Sequence, residues 1–274
     1  FLEKYLEAGR HIEVQIFSDA DEKAFHLFDR ECSVQRRHQK IIEEAPAPRL
    51  SDKTRKILHD SAIRLAESIG YTGAGTVEFM VDEKENVSFL EMNTRLQVEH
   101  PVTEWITGMD LVEKQILTAL GKPINLKQSD IMQNGHAIEC RIYAEAPYAG
   151  FRPSPGPVKK CTWPLTRNTR IDTGIYEGQD ISAQYDPMVA KVSCWGTTRE
   201  AATSQMIEAL SQTTLLGFTH NITFLINLLR SNEFKKSEIT TSLIEKKLMP
   251  KLQIDLTGEK LQELVTLLLS KNQS

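Results

Sequence analysis

Two short segments constrain the fold of this chain more than any other feature. Residues 75–82 (Gly-Thr-Val-Glu-Phe-Met-Val-Asp) and residues 87–92 (Val-Ser-Phe-Leu-Glu-Met) are rich in the residues that favour β-strands. The polar residues 83–86 (Glu-Lys-Glu-Asn) separate them. Two such runs joined by a short polar turn predict a β-hairpin.

The register of this hairpin decides which side chains meet. If Asp82 pairs with Val87, antiparallel counting places Glu78 directly opposite Glu91. Two carboxylates whose Cβ atoms lie about 5 Å apart repel each other unless a cation or a proton lies between them. The alternative is an ordinary hairpin with a slipped register, in which these glutamates do not face each other.

A divalent metal ion is the simplest partner for two facing carboxylates. Asn93 lies on the same predicted face and offers a neutral oxygen, which suits Mg²⁺ with its preference for six oxygen ligands. In the predicted register Met80 pairs with Phe89 on this face, so we expect an apolar surface next to the metal.

Polar and apolar residues continue to alternate beyond this hairpin. Glu91, Asn93, Arg95, Gln97 and Glu99 occupy every second position. In one extended strand their side chains would share a face that carries two carboxylates, a guanidinium and two amides. A half-buried antiparallel strand of no special function would show the same alternation.

Composition restricts the class of protein. The 274 residues are 40% hydrophobic and 26% charged, with a net charge of −4, which predicts a folded protein without a nucleic-acid surface. No apolar run is long enough to span a membrane, and no signal peptide is present. The four cysteines show neither metal-site spacing nor a disulfide framework, so we expect a reducing compartment.

Residues 91–104 (Glu-Met-Asn-Thr-Arg-Leu-Gln-Val-Glu-His-Pro-Val-Thr-Glu) closely resemble the signature of biotin carboxylases, which belong to the ATP-grasp superfamily. Six further blocks resemble the same family in the same order, at residues 3–6, 10–15, 31–40, 73–79, 135–142 and 153–156. The resemblance implies an α+β fold, with the C-terminal part of an ATP-grasp domain followed by a biotin carboxylase C-terminal domain of antiparallel sheet and helices.

The chain is expected to have three parts. Residues 1–121 would form the C-terminal half of the ATP-grasp domain, residues 135–248 the C-terminal domain, and residues 249–274 a helical tail or linker. The chain starts without Met inside a family block, so a fragment is expected. We also expect a helix that Ser51 caps and that ends at Gly70, and helices at 110–120, 198–211 and 220–229.

The resemblance implies a role for each matching side chain. Glu78, Glu91 and Asn93 match the positions that bind Mg²⁺ or Mn²⁺. The catalytic positions comprise the base that deprotonates bicarbonate (Glu99), its pocket (Arg95, Gln97, the Val98 backbone and Lys40) and the residue that stabilises the enolate-like oxygen of biotin (Arg141). The positions that bind ATP are Glu3, Lys4, Tyr5, Leu6, His11, Gln35, His38 and Met80, together with Glu78 and Glu91.

The implied reaction uses ATP and bicarbonate to carboxylate biotin through carboxyphosphate. No Met-Lys-Met biotinylation block is present, so the partners would include a biotinylated carrier and a carboxyltransferase subunit, in an oligomer. Two alternatives stay open: another ATP-grasp ligase of the carbamoyl-phosphate type, and a non-catalytic fragment that binds a nucleotide or a partner.

Overall fold

The structure is a computed structural model that describes residues 2, 6, 8–19, 23–124 and 126–249. Its main element is an eight-stranded sheet. The strands of this sheet, in chain order, are β1 (Arg10–Ser18), β2 (Ala24–Arg36), β3 (Gln39–Ala45), β4 (Gly73–Val81), β5 (Val87–Asn93), β6 (His136–Tyr143), β11 (Thr169–Thr173) and β13 (Met188–Gly196).

Shorter strands form three two-stranded pairs. They are β7 (Glu145–Ala146) with β8 (Arg152–Pro153), β9 (Gly156–Pro157) with β12 (Asp180–Ile181), and β10 (Lys160–Thr162) with β14 (Thr214–Leu216).

Six α-helices lie within the described residues. They are α1 (Asp52–Ser68), α2 (His100–Thr107), α3 (Leu111–Ala119), α4 (Arg199–Gln212), α5 (Ile222–Arg230) and α6 (Asn232–Lys235). Two 3₁₀ turns (Gln128–Asp130 and Pro147–Ala149) and a π-helical turn (Ile244–Leu248) complete the described structure.

The order of the strands in the main sheet is β11-β13-β6-β3-β2-β1-β4-β5, and all the neighbouring pairs are antiparallel. Strands β3 and β6, which belong to different predicted domains, are neighbours, and Glu43 pairs with Glu139 between them. One sheet therefore runs through both of the predicted domains. The division into residues 1–121, 135–248 and 249–274 stays a prediction.

Helix α1 covers one face of the sheet. The Ser51 side chain accepts a hydrogen bond from the Thr54 amide and caps the helix N-terminus, as its position predicts. Leu58, Ala62 and Ala66 are buried at helical spacing against β1 and β4. The burial of this apolar stripe attaches α1 to the sheet.

Strand alternation then assigns the opposite face to polar residues. In β1, Ile12 and Val14 pack in the core under α1. His11 and Glu13, at the intervening positions, project to the other side of the sheet. The same rule applies to β4, where Val77 packs under α1 and leaves its neighbours on the polar face. The residues on this second face form the candidate site.

Helix α2 was not predicted. It follows directly after the alternating segment, and Gly108, with φ of 70°, ends it in the left-handed conformation that glycine adopts without strain. Val102 and Ile106 bury this helix against Ala45 and Ala137 of the central strands. Its first turn therefore lies beside the middle of the sheet.

The other expected helices are confirmed within one or two residues. The expected helix at 110–120 is α3, that at 198–211 is α4, and that at 220–229 is α5. A second, larger core packs α4 and α5 against β6 and β13. The expected helical tail, residues 249–274, lies outside the described residues except for Met249.

Candidate active site

The predicted pairing of the two glutamates is confirmed. Glu78 of β4 lies opposite Glu91 of β5, and Thr76 lies opposite Asn93 two residues further along the strands. Directly facing residues of antiparallel strands project to the same side, so both carboxylates lie on the polar face of the sheet.

Near the turn the register differs from the prediction. Phe89 pairs with Phe79 instead of Met80, and Val87 pairs with Val81, because β5 has one extra residue after Phe89. Such a bulge shifts every pair on the turn side by one residue. The predicted Met80–Phe89 pair is therefore wrong, and the ring of Phe89 packs edge-on to that of Phe79, with centroids 6.4 Å apart.

The prediction of one extended strand from Glu91 to Glu99 is also wrong. Strand β5 ends at Asn93, and the chain then leaves the sheet in an irregular turn that leads into α2. Arg95, Gln97 and Glu99 nevertheless line the same cleft as Glu91. Loop geometry brings these side chains together, since the period of a strand no longer applies after Asn93.

An acidic residue that sequence reasoning missed extends the glutamate row. Glu13 of β1 pairs with Glu78, so Glu13, Glu78 and Glu91 lie in one line across three adjacent strands. Glu13 is fully buried. The alternation of His11, Glu13 and Gln15 in β1 is the signal that could have identified it, by the rule already applied to residues 91–99.

Lys40 is a cation that contacts two glutamates of this row and Glu99. Its ammonium group contacts Glu13, lies 3.1 Å from Glu78 Oε1 and lies 2.8 Å from Glu99 Oε1. Burial opposes the charge of Lys40, but Glu13 and the other neighbouring anions outweigh it and raise its pKa above the usual value. Lys40 therefore remains positively charged at the centre of the cleft.

The charge state of Glu78 follows from its neighbours. Burial by itself would raise the pKa of Glu78, but the hydrogen bond from His11 and the charge of Lys40 lower it to about 2. His11 Nε2 lies 2.7 Å from Glu78 Oε2, while Gln35 Nε2 lies 2.8 Å from His11 Nδ1. Glu78 is therefore an ionised carboxylate, and Gln35 orients the imidazole ring beside it.

The two facing glutamates and Asn93 fit a hard divalent cation. The Asn93 amide nitrogen donates to Glu78 Oε1 at 2.9 Å and to Glu91 Oε1 at 3.1 Å. A half-turn of this amide would place its oxygen between two carboxylates, which is the donor set that Mg²⁺ prefers. Glu13 also lies within 4.8 Å of ligand atoms of His11 and Glu78, but Lys40 already contacts it.

Arg30 was missed as well, and it supports the cleft from inside the sheet. Its guanidinium is fully buried and donates to Gln97 Oε1 at 2.7 Å and Gln15 Oε1 at 2.6 Å. It also bonds Glu13 at 3.0 Å and Thr103 Oγ1 at 3.1 Å. One buried cation thereby ties β1, the loop and α2 together. No alternation marks Arg30 in the sequence, because its partners are distant in the chain.

Arg141 reaches the cleft from β6. Its guanidinium lies 2.9 Å from Glu99 Oε2 and 2.5 Å from Glu43 Oε1. Burial opposes the charge, but Glu43 and Glu99 raise the pKa of Arg141 above its usual value. Glu43 and its cross-strand neighbour Glu139 are buried, and burial raises the pKa of both carboxyls, so this pair retains a proton near neutral pH.

The described residues predicted for the site meet in one open cleft of about 840 Å³. Glu3, Lys4 and Tyr5 lie outside the described residues. The predicted residues that line this cleft are Leu6, His11, Gln35, His38, Lys40, Glu78, Met80, Glu91, Asn93, Arg95, Gln97, Val98, Glu99 and Arg141.

Family models match most of the chain. The model of the carbamoyl-phosphate synthase L chain ATP-binding domain matches residues 1–127, and that of the biotin carboxylase C-terminal domain matches residues 139–246.

The four cysteines are free, and none of the helices in the described part of the chain combines the length and apolar character needed to cross a membrane.

Several curated proteins are similar to this chain. The mitochondrial methylcrotonoyl-CoA carboxylase subunit alpha of Rattus norvegicus is 49% identical over 244 residues, which cover 89% of this chain and 34% of that protein. Biotin carboxylase 2 of Bacillus subtilis is 46% identical over 248 residues, covering 90% of this chain and 56% of that protein. The chain thus spans less than two thirds of the length of these relatives.

Solved structures of biotin carboxylases are also similar to this chain. The biotin carboxylase domain dimer of Hydrogenobacter thermophilus 2-oxoglutarate carboxylase, in complex with MgADP, ADP and bicarbonate, matches with a TM-score of 0.87 and 41% identity over 89% of this chain and 54% of that chain. The Campylobacter jejuni biotin carboxylase–beta-gamma-ATP complex matches with a TM-score of 0.86 and 42% identity over the same shares. The chain is an α+β protein with an ATP-grasp part followed by a biotin carboxylase C-terminal domain, and it belongs to the biotin carboxylase family.

Proposed function

We propose that this chain provides the metal-binding and bicarbonate-binding face of an enzyme that carboxylates biotin on a carrier, using ATP and bicarbonate through carboxyphosphate. One observation carries the proposal: Lys40, between Glu78 and Glu99, joins the acidic row to the residues that match the bicarbonate pocket. Phosphate and bicarbonate are both anions, and a cleft that brings a nucleotide-bound metal to a bicarbonate ion needs a cation between the two sites.

The roles of the side chains follow from their contacts. Glu78, Glu91 and Asn93 would hold Mg²⁺ or Mn²⁺, which neutralises charge on the terminal phosphates of bound ATP. Glu99, held between Lys40 and Arg141, is positioned to accept the proton of bicarbonate. When substrates bind, these two cations can turn from Glu99 toward the anions that form in the reaction.

Recognition of the substrates uses the walls of the cleft. Arg95, Gln97 and the Val98 backbone would bind bicarbonate, because a planar guanidinium can donate two parallel hydrogen bonds to a planar oxyanion. Arg141 would stabilise the negative charge on the ureido oxygen of biotin. The rest of the cleft would hold ATP, through Leu6, His11, Gln35, His38 and Met80. The family resemblance adds Glu3, Lys4 and Tyr5 to the proposed nucleotide contacts.

The proposal also includes a carrier domain or protein and a second enzymatic component. A biotinylated carrier and a carboxyltransferase subunit would complete the reaction, in an oligomer, as the dimeric Hydrogenobacter domain supports. We place the protein in the bacterial cytoplasm or the mitochondrial matrix, since the rat relative is mitochondrial. Residues 1–121 and 135–248 are proposed as two domains, with residues 249–274 as a tail or linker.

The test is the dependence of ATP hydrolysis on bicarbonate in the complete enzyme. We expect hydrolysis to require bicarbonate and to increase when free biotin is added. Glu99→Gln should abolish the bicarbonate dependence and leave the affinity for ATP unchanged, since Glu99 is not among the metal or nucleotide residues. Equal hydrolysis with and without bicarbonate in the unmodified enzyme would refute the proposal and favour a different ATP-grasp ligase.

A further inference from the structure

The turn that carries Val98 is held from outside the cleft by two side chains with no role in the proposed chemistry. The carbonyl oxygen of Gln97 accepts a hydrogen bond from His100 Nδ1 at 2.7 Å and a second from the His100 backbone amide at 3.3 Å. The carbonyl oxygen of Val98, the next one along, accepts a hydrogen bond from Lys191 Nζ. Two consecutive peptide groups are thereby fixed.

Because the peptide bond is planar, these contacts also fix the direction of groups that face the cleft. In a trans peptide the N–H of one residue points away from the C=O of the residue before it. A fixed Gln97 carbonyl therefore sets the direction of the Val98 N–H, the group that matches the bicarbonate pocket. A fixed Val98 carbonyl likewise sets the peptide from which the Glu99 side chain extends toward Lys40 and Arg141.

His100 can act only as a donor to Gln97. A carbonyl oxygen accepts hydrogen bonds and does not donate them, so Nδ1 must carry the proton. Burial and the charge of Lys191 lower the pKa of His100 to about 4, so the ring is neutral and Nε2 is unprotonated. The same residue begins helix α2, whose N-cap residue, Glu99, makes no capping hydrogen bond with its side chain. The Glu99 carboxylate is therefore left for the cleft.

Lys191 approaches this turn from a separate cavity. Val98 lines both the cleft and a second cavity of about 650 Å³, and Lys191 lines the second cavity. Lys191 lies opposite Arg141 in the pairing of β6 with β13, so the two side chains project to the same face of the sheet. Its nearest carboxylates, Asp172 at 3.5 Å and Glu139 at 3.8 Å, lie beyond ordinary hydrogen-bond length, which makes the Val98 carbonyl its closest acceptor.

We propose that Lys191 and His100 are positioning residues of the bicarbonate pocket, which hold the Gln97–Val98–Glu99 turn so that the Val98 N–H and the Glu99 carboxylate face the same bound ion. This proposal rests on the proposed function. Neither side chain would touch bicarbonate, ATP or the metal. Displacement of a binding group by about 1 Å can cost roughly 100-fold in rate. Loss of either donor should therefore weaken the binding and use of bicarbonate and leave the binding of ATP unchanged.

The first experiment compares substitutions of Lys191 in the complete enzyme. Lys191→Met keeps the length and apolar stem of the side chain but removes the donor, whereas Lys191→Arg keeps a donor. We expect Lys191→Met to raise the KM for bicarbonate roughly tenfold or more with an unchanged KM for ATP, and Lys191→Arg to recover part of the loss. Lys160→Met serves as a matched control, because Lys160 lies on β10 and pairs with the exposed Glu177.

The second experiment uses covalent geometry at His100. An Asn side chain places its amide nitrogen the same number of bonds from the backbone as His Nδ1, whereas Gln places it one bond further. His100→Asn should therefore keep the KM for bicarbonate close to that of the unmodified enzyme, and His100→Gln should raise it. This pair decides the question even if the Lys191→Met protein does not fold.

Three results would overturn the proposal. In the first, kcat and the KM for bicarbonate are both unchanged in Lys191→Met and His100→Gln. In the second, the KM values for ATP and bicarbonate rise together, as expected for a general loss of structure. In the third, the unmodified enzyme hydrolyses ATP without bicarbonate, which removes the proposed function and the bicarbonate role of the turn with it. A rise in bicarbonate KM alone, in an enzyme that depends on bicarbonate, supports the positioning role.

Discussion

Glu78 and Glu91 face each other across β4 and β5, and the Asn93 amide donates a hydrogen bond to each. Two facing carboxylates destabilise a sheet unless something between them offsets the repulsion. Here the Asn93 amide partly offsets the repulsion by donating to both carboxylates, and the charge of Lys40 offsets that of Glu78. A divalent cation bound between Glu78 and Glu91 would offset the same repulsion.

We expect the two glutamates to control metal-dependent nucleotide binding. Glu78→Gln and Glu91→Gln should each weaken binding of ADP in the presence of Mg²⁺ by more than the roughly 10- to 100-fold typical of losing an outer-sphere partner. Binding without Mg²⁺ should change little. Calorimetric titration with and without Mg²⁺ measures both, with Glu83→Gln in the exposed turn as the control. Equal weakening under both conditions would mean that neither glutamate holds the metal.

Glu13 should be a major source of stability at the centre of the sheet. Glu13→Gln removes the buried carboxylate that contacts Lys40 and Arg30, and it leaves those cations without full compensation. Breaking a buried ion pair from one side costs about 3–5 kcal/mol, so a loss of this size in the free energy of unfolding is expected. Urea unfolding measures it, and Glu113→Gln on the exposed face of α3 should be nearly neutral. A loss below about 1 kcal/mol would contradict this account.

Glu43 should give the stability a specific dependence on pH. Burial raises the pKa of Glu43 to about 7 from an unperturbed value of 4.5, although Arg141 opposes the shift. Between these two pH values the folded state binds more protons than the unfolded state, so this group makes stability fall as pH rises.

Glu43→Gln should therefore reduce the fall in stability between about pH 4.5 and pH 7, and it should stabilise the protein most at the upper end of that range. Urea unfolding of the two proteins across the range measures the difference. The amide oxygen of the substituted side chain can still accept a hydrogen bond from Arg141, so folding should survive the change. Parallel stability curves for the two proteins would show that Glu43 does not hold the proton.

Helix α1 offers a test of the fold that leaves the site intact. Leu58 of this helix is completely buried against the sheet, whereas the adjacent Ile57 is 42% exposed. Leu58→Ala should lower the free energy of unfolding by about 2–5 kcal/mol, through lost burial and the cavity left behind. Ile57→Ala should change it far less. Nucleotide affinity should be retained in both proteins at temperatures where they are folded, since α1 lies on the face opposite the cleft.

Much of the site followed from local sequence patterns. The pairing of Glu78 with Glu91 depends on two strands and one turn, all within a few residues of each other. The position of Ser51 likewise marked the start of α1, whereas His11 came only from the family resemblance. The resemblance to biotin carboxylases added Lys40 and Arg141, which no local pattern identifies as partners of Glu99.

The errors arose where local periodicity stops. The alternation of residues 91–99 suggested a strand, but the chain leaves the sheet at Asn93 because α2 must bury Val102 and Ile106 against the central strands. The extra residue in β5 shifted the turn-side pairs, and propensity does not show a bulge. At Asn93 a contact distant in sequence overrode the local preference.

The amino-acid sequence alone determined where α1 begins and that two carboxylates would meet in a hairpin, because these properties depend on neighbours a few residues away. Only the tertiary structure decided that Glu13, Arg30 and Glu43 would be buried behind the cleft, and that Lys191 would reach the Val98 carbonyl. These contacts join strands that are far apart in the chain, since β1 pairs with β4, and β6 with β3 and β13. Their charges are stable in the interior only because the assembled sheet brings each one to its partner.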